Sequence, residues 1–140
     1  MDAAEVRRRV GEARVGHLAT VDPAGRPHVV PVVFVLEGDT VYSAVDRKPK
    51  RTPRLQRVRN LLRDPRATLL VDHYEEDWSR LWWARGRGRA RVIEEGPELH
   101  RALELLARKY PQHRQEPPPG PVVALDVEEW RGWSGSVSGR

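Results

Sequence analysis

Two groups of residues in this chain are of types that can do chemistry. The first is a basic run: Arg47, Lys48, Lys50, Arg51, Arg54 and Arg57. It sits between a β-type run and a helical pattern. A helix N-terminus already attracts phosphate through its free N–H groups and its dipole. Cations added at that point make a phosphate seat; the competing reading is a solvated basic turn. The second group is Trp78, Trp82 and Trp83, preceded by Tyr74. Trp82 and Trp83 are adjacent, so in a strand they face opposite sides. One is expected to fill the interior, the other to meet a partner chain or a ring-shaped ligand. Basic residues with aromatics also suit single-stranded nucleic acid.

Side-chain catalysis has little to stand on. The chain has no Cys, which removes disulfides, thiolate metal sites and Cys nucleophiles. It has no Gly-x-Ser-x-Gly elbow and no P-loop. His17, His28, His73, His100 and His113 form no pair at metal-ligand spacing. His73 with Glu75, Glu76 and Asp77 is the one candidate metal cluster, and it reads better as a polar loop. Gly86-x-Gly88 is too short for a dinucleotide fingerprint. No catalytic side chain and no metal site is therefore expected; if the chain is an enzyme, a bound cofactor does the chemistry.

The bulk properties frame this. One hundred and forty residues fit one domain, 1–140. The net charge is +5, from 25 basic and 20 acidic residues. Either an anionic partner or an Arg-rich codon bias explains it, so only local clusters carry argument. No apolar run approaches the roughly 20 residues that span a bilayer, and the first residues lack a signal-peptide core. A soluble cytoplasmic protein is expected.

The elements that must position these groups follow from periodicity. Ala3, Val6, Val10 and Ala13 recur at helical spacing over 2–14, with Arg7, Arg8 and Arg9 on the wet side. Strands are expected over 17–21, 27–36 and 40–45. Asp22-Pro23-Ala24-Gly25 is a type I turn signal and Glu37-Gly38-Asp39 a hairpin signal. The second run is so apolar that both its faces are expected to be covered, and Pro31 marks an edge or a break. Thr52-Pro53 caps a helix to Arg63 with Leu55, Val58, Leu61 and Leu62 inward. A strand over 67–72 and a long one over 81–94 come next, with Gly86 and Gly88 as bend points. A helix from Gly96 to Tyr110, a rigid connector over 115–121, a strand over 122–127 and a loose tail over 131–140 complete the chain. This order reads as a small antiparallel barrel with peripheral helices.

Four segments, GHLATVDPAGRPHVVPVVF, VYSAVDRKPK, RNLLRDPRATLLVD and DWSRLWWARGRGRARV, resemble in this order the pyridoxamine 5′-phosphate oxidase-like split-barrel family. More narrowly, the chain is similar to its small actinobacterial branch that uses the deazaflavin coenzyme F420. The resemblance spans about Val6 to Trp130. It implies a mainly β fold, a six-stranded antiparallel split β-barrel of the FMN-binding type. It also implies a homodimer with the cofactor at the interface. Carried onto this sequence, His28, Val30, Pro31, Val32 and Val33 would run along the ring system. Ser43 and Asp46 would sit beside the phosphate or ribityl chain. Lys48 and Lys50 would hold phosphate or the coenzyme tail, with Arg54 and Arg57 behind them. Trp78, Trp82 and Trp83 would come from the partner or close the substrate side. One departure matters: pyridoxamine phosphate oxidases proper hold FMN phosphate with an Arg-x-Val-Leu-Leu-Lys strand, and His28 to Val33 lacks both basic residues. The expected function is an F420-dependent reductase moving hydride to a small organic acceptor. An FMN-dependent oxidase or flavin reductase is the alternative. A non-enzymatic cofactor- or nucleic-acid-binding barrel is the third reading, with nucleic acid disfavoured as a partner.

Overall fold

The computed structural model describes residues 1–45, 55–118 and 120–136. Helix α1, Ala3–Glu12, starts behind Asp2, whose side chain accepts from the Glu5 N–H at 2.9 Å. This is an N-cap, and it fixes where the helix begins. Val6 and Val10 are fully buried, as their spacing requires. Strands β1 (Gly16–Val21) and β2 (Pro27–Val32) pair antiparallel, Val21 opposite Pro27. The Gly25 N–H reaches the Asp22 carbonyl at 2.9 Å, so the Asp22–Gly25 turn forms as expected. Strands β3 (Val35–Glu37) and β4 (Thr40–Ala44) make a hairpin with Gly38 at φ 62. That positive φ in the first linking position is what a II′ turn needs.

Helix α2 is Gln56–Arg63, β5 is Arg66–His73, and β6 is Trp82–Ile93 after a 3-10 turn at Trp78–Arg80. Helices α3 (Pro97–Lys109) and α4 (Pro111–Gln115) precede β7, Val122–Ser134. All seven strands form one antiparallel sheet in the order β2-β1-β5-β6-β7-β4-β3. The two edges, β2 and β3, are consecutive in the chain and joined only through Val33 and Phe34. The sheet therefore curls into a split barrel with its seam at those two residues. α1 and α2 pack against a core built on Val6, Val10, Leu18, Phe34, Leu69 and Leu125.

Several expectations need correction. The sheet has seven strands, not six, because the run over 27–36 is two strands. β2 pairs with β1 and β3 pairs with β4, so the chain crosses from one edge to the other at Val33-Phe34. The outer face of β2 is not covered: Val29 is 57% exposed. α2 begins at Gln56 behind Leu55 rather than at Pro53; Thr52 and Pro53 lie outside the described residues. Its inner face carries Asn60, fully buried, in place of Leu62, which is 58% exposed. The buried set Val58, Asn60 and Leu61 centres the inner face near Leu61, which leaves Leu62 about 100° further round the helix. The last strand does not stop at 127. It runs to Ser134, paired with β6 as far as Trp82, and Gly132 lets Val6 and Met1 pack directly on its backbone. Finally, β6 runs unbroken through Gly86 and Gly88; the register shifts between Arg87 and Gly88 because β7 carries one extra residue there, Glu128. A Cβ on Gly88 would overlap the Asp126 carbonyl, so β7 crosses at a distance only glycine permits.

Candidate cofactor groove

Strand β3 begins only at Val35, opposite Tyr42. Beyond Tyr42, β4 therefore has no β3 partner, and a groove opens at the seam. It holds about 350 Å³ and is lined by Val15, Val30, Pro31, Val32, Val33, Ala44 and Arg57. That is within the roughly 300–1,000 Å³ of small-molecule sites. Its described lining side chains are apolar except Arg57, the one cation among them, and exposed backbone groups add polar surface. Edge strand β2 turns alternate backbone N–H and C=O groups away from β1, although Pro31 has no N–H to give. A flat apolar ring with a polar edge and an anionic tail matches this set of donors and walls.

Five of the residues expected from the sequence meet here: Val30, Pro31, Val32, Val33 and Arg57. Ser43 does not face the groove with a free hydroxyl. It is buried, and its Oγ donates to the Val33 carbonyl at 3.1 Å, holding the seam together. His28 lies farther along β2, opposite Thr20, with Nδ1 buried and no hydrogen-bond partner. Asp46, Lys48, Lys50 and Arg54, which carry the expected phosphate seat, lie outside the described residues.

The tryptophans are elsewhere. Trp78 sits in the 3-10 turn and is 68% exposed. Trp82 and Trp83 do face opposite sides. Trp82 packs on the core, with the Arg9 guanidinium 5.0 Å from its ring and His73 stacked at 6.4 Å. Trp83 lies under Arg85 and pairs across the sheet with Trp133. Trp82 thus lines a second cleft of about 380 Å³ with Arg9, His73, Glu75, Ser79 and Arg80. Its charges are already matched: Glu75 takes His73 at 2.5 Å and Arg80 at 3.0 Å, and Arg9 pairs with Glu5 at 2.7 Å. The His73 and Arg80 hydrogen bonds hold the Glu75 carboxyl below its ordinary range. Asp77 caps the 3-10 turn through Ser79. Among the described residues no cluster of metal-ligating side chains exists. A third groove, about 490 Å³, crosses the outer sheet face between Arg66, Arg87 and Arg89 and the carboxylates of Glu128 and Glu129.

Sequence reasoning missed Val15, Ala44 and the end of α3. Tyr110, which closes α3, places its hydroxyl among Phe34 N (3.1 Å), Phe34 O (2.8 Å) and Arg14 O (2.9 Å). Burial raises the Tyr110 phenol above its ordinary pKa. Burial, helped by Arg14, lowers neighbouring Lys109 to about 8. A Tyr-Pro at a helix end signals only that the helix stops; nothing local says the hydroxyl reaches Phe34.

A family model described as pyridoxamine 5′-phosphate oxidase matches residues 3–134. No curated protein matches the chain. Among solved structures, a conserved hypothetical protein from Mycobacterium tuberculosis is 25% identical with a TM-score of 0.78, covering 96% of this chain and 86% of that one. A FAD-binding protein from Mesorhizobium loti is 20% identical with a TM-score of 0.71, covering 94% of each. The heme storage protein HutZ from Vibrio cholerae is 17% identical with a TM-score of 0.70, covering 94% of this chain and 93% of that one. The last two show the shared fold alone.

Proposed function

Since the chain belongs to the pyridoxamine 5′-phosphate oxidase family, we propose that its seam groove binds the deazaflavin coenzyme F420 and that the protein is an F420-dependent reductase of a small organic acceptor. The observation that carries this reading is the composition of the groove. Apart from Arg57 its lining side chains are apolar, and its β2 side from Val30 to Val33 has no cation to hold a phosphate close to the ring. The anion must then be held farther along the chain, where Arg57 and the run Lys48, Lys50 and Arg54 follow in sequence. An extended, multiply charged tail suits that arrangement better than a single phosphate does.

The bound coenzyme supplies the hydride. The chain supplies position and an apolar wall: Val30 and Val32 on β2, with Val15 and Val33 beside them, face the ring, and the β2 backbone orients its polar edge. Arg57 is the only ionisable residue among the described lining residues, and a guanidinium does not give up its proton at neutral pH. Side-chain acid–base work is therefore absent from this reading.

FMN is the second reading, favoured by the family description and by the related flavin named for the FAD-binding Mesorhizobium loti neighbour. Heme fits the groove poorly, because no His, Cys, Met or Tyr is among its described lining residues to ligate iron. Titration with F420 and with FMN, followed by fluorescence, separates the readings. Micromolar binding of F420 with weaker FMN is expected. The reverse order overturns the F420 reading, and binding of neither overturns both.

The reading includes a homodimer. The outer face of β2 and β1 carries Pro27, Val29, Pro31, Ala19 and Val21, an apolar strip with nothing over it in the single chain. Beside it, the Arg87–Arg89 row runs next to Glu128–Glu129 at 3.7 and 3.8 Å. Adjacent rows of opposite charge are self-complementary under a two-fold axis. Light scattering of the purified protein at micromolar concentration is expected to give twice the chain mass; a monomer removes this part of the reading.

A further inference from the structure

The end of α3 grips the chain on either side of the groove's lining. Phe34 is fully buried at the seam, between the last residue of β2 and the first of β3. Its N–H and C=O have no partner strand there. The Tyr110 hydroxyl serves both, accepting from the N–H at 3.1 Å and lying 2.8 Å from the carbonyl. It also lies 2.9 Å from the Arg14 carbonyl; one O–H proton serves one of these carbonyls at a time. Lys109 Nζ donates to the Ala13 carbonyl at 2.7 Å and stands 4.4 Å from the centre of the Phe34 ring. Arg14 returns the contact: its guanidinium donates to the Lys109 carbonyl at 3.0 Å and covers the Tyr110 ring at 4.8 Å.

Arg14 precedes Val15, and Phe34 follows Val33. Both valines line the groove. Each is thus one peptide away from a group that α3 holds. Ser43 fixes the Val33 carbonyl from β4, so the seam is tied from two sides. Lys109 Nζ spans the same gap through the Phe34 ring, but only the Tyr110 hydroxyl bonds the Phe34 backbone and the Arg14 carbonyl together. On the reading that this groove seats the cofactor, we propose that Tyr110 is its positioning residue: the hydroxyl sets the separation of Val15 and Val33, and with it the fit of the ring. Tyr110 touches no cofactor. It acts through Arg14 and Phe34.

The test compares three variants with the wild type, using F420 and FMN as probes at a temperature where all are folded. Tyr110→Phe keeps the ring and removes the hydroxyl. It is expected to weaken the preferred cofactor about tenfold, the scale of one lost hydrogen bond, and to shift the absorbance maximum of the bound ring. Val71→Ala, in the core of β5 away from the groove, controls for stability. It is expected to lower the melting temperature without moving the dissociation constant or the spectrum. Val33→Trp fills the groove and is expected to abolish binding. If Val33→Trp abolishes binding and Tyr110→Phe binds like the wild type, the positioning role is overturned while the groove stands. If Val33→Trp binds normally, or the wild type binds neither cofactor, the groove reading falls and the role falls with it. Should Tyr110→Phe not fold, Lys109→Met carries the test: about threefold weaker binding is expected, and unchanged binding overturns the clamp.

Discussion

Asn60 is a fully buried polar residue on α2, and its removal should be measurable through one partner. Its Nδ2 donates to Thr20 Oγ1 on β1 at 3.0 Å, and its Oδ1 accepts from Gln56 at 2.7 Å. Asn60→Ala loses both bonds, each worth about 1 kcal/mol net, and strands the buried Thr20 hydroxyl at a cost of about 1 kcal/mol or more. Alanine returns about 0.5 kcal/mol of helix propensity. The sum is a loss of about 2.5 kcal/mol, near 10 °C in melting temperature for a domain of this size. Thr20→Val leaves Asn60 Nδ2 without its partner and should cost about 1–2 kcal/mol by the same rule. In the double variant no group is stranded, so the losses should fall short of additivity by about 1–2 kcal/mol. Urea unfolding of the four proteins gives the cycle. Additivity within about 0.5 kcal/mol, or a gain in stability from Asn60→Ala, refutes the reasoning.

Three further outcomes are expected. The Arg91 hydrogen bond, with Tyr42 behind it, holds Glu98 at about 2 against an ordinary 4.5. A depressed carboxylate contributes stability above pH 4.5 that is lost as pH falls towards 2. Glu98→Gln should therefore show a shallower loss of stability across that window in acid titrations followed by circular dichroism. Lys109, lowered by burial to about 8, behaves oppositely. The unfolded chain keeps that proton up to 10.5, so the penalty is full below pH 8 and is relieved between 8 and 10.5. Wild type should gain on Lys109→Met across that window in urea midpoints, and parallel curves would contradict the shift. Last, Lys50→Ala should weaken cofactor binding by about ten- to a hundredfold, the loss of a charge-assisted contact. An unchanged dissociation constant in the same fluorescence titration would move the anion seat to Arg54 or Arg57.

What the sequence made legible was what neighbours in sequence decide. The Asp22–Gly25 turn sets its own hydrogen bonds, so β1 and β2 could be placed and registered. Val6 and Val10 buried as their spacing demands. The groove's β2 side was readable once the family resemblance was in hand. Contacts between distant residues were not readable. The break at Val33-Phe34 depends on a hydroxyl 76 positions away. A run of seven apolar residues gives no sign of which peptide will leave the ladder. Nothing local to α2 marks Asn60 as buried, because its partner, Thr20, lies in β1. Trp82 and Trp78 were grouped with the cofactor because aromatics and cations near each other suit both a ligand and a core. Trp82 instead has Arg9 5.0 Å from its ring and His73 stacked at 6.4 Å, in a cleft separate from the seam groove.

The position of β7 has a consequence for synthesis. It lies between β6 and β4, and it pairs Asp126 with Thr40 and also with Arg89. The β3–β4 hairpin is therefore made early and has no place in the sheet until the last strand arrives. A nascent chain that stops short of Val122 presents two unpaired strand edges, on β4 and on β6. Such edges recruit other strands, and pairings this distant in sequence form slowly. A ribosome-bound chain that has made β6 but not yet β7 is thus exposed to aggregation, and closure of the barrel waits for that inserted strand.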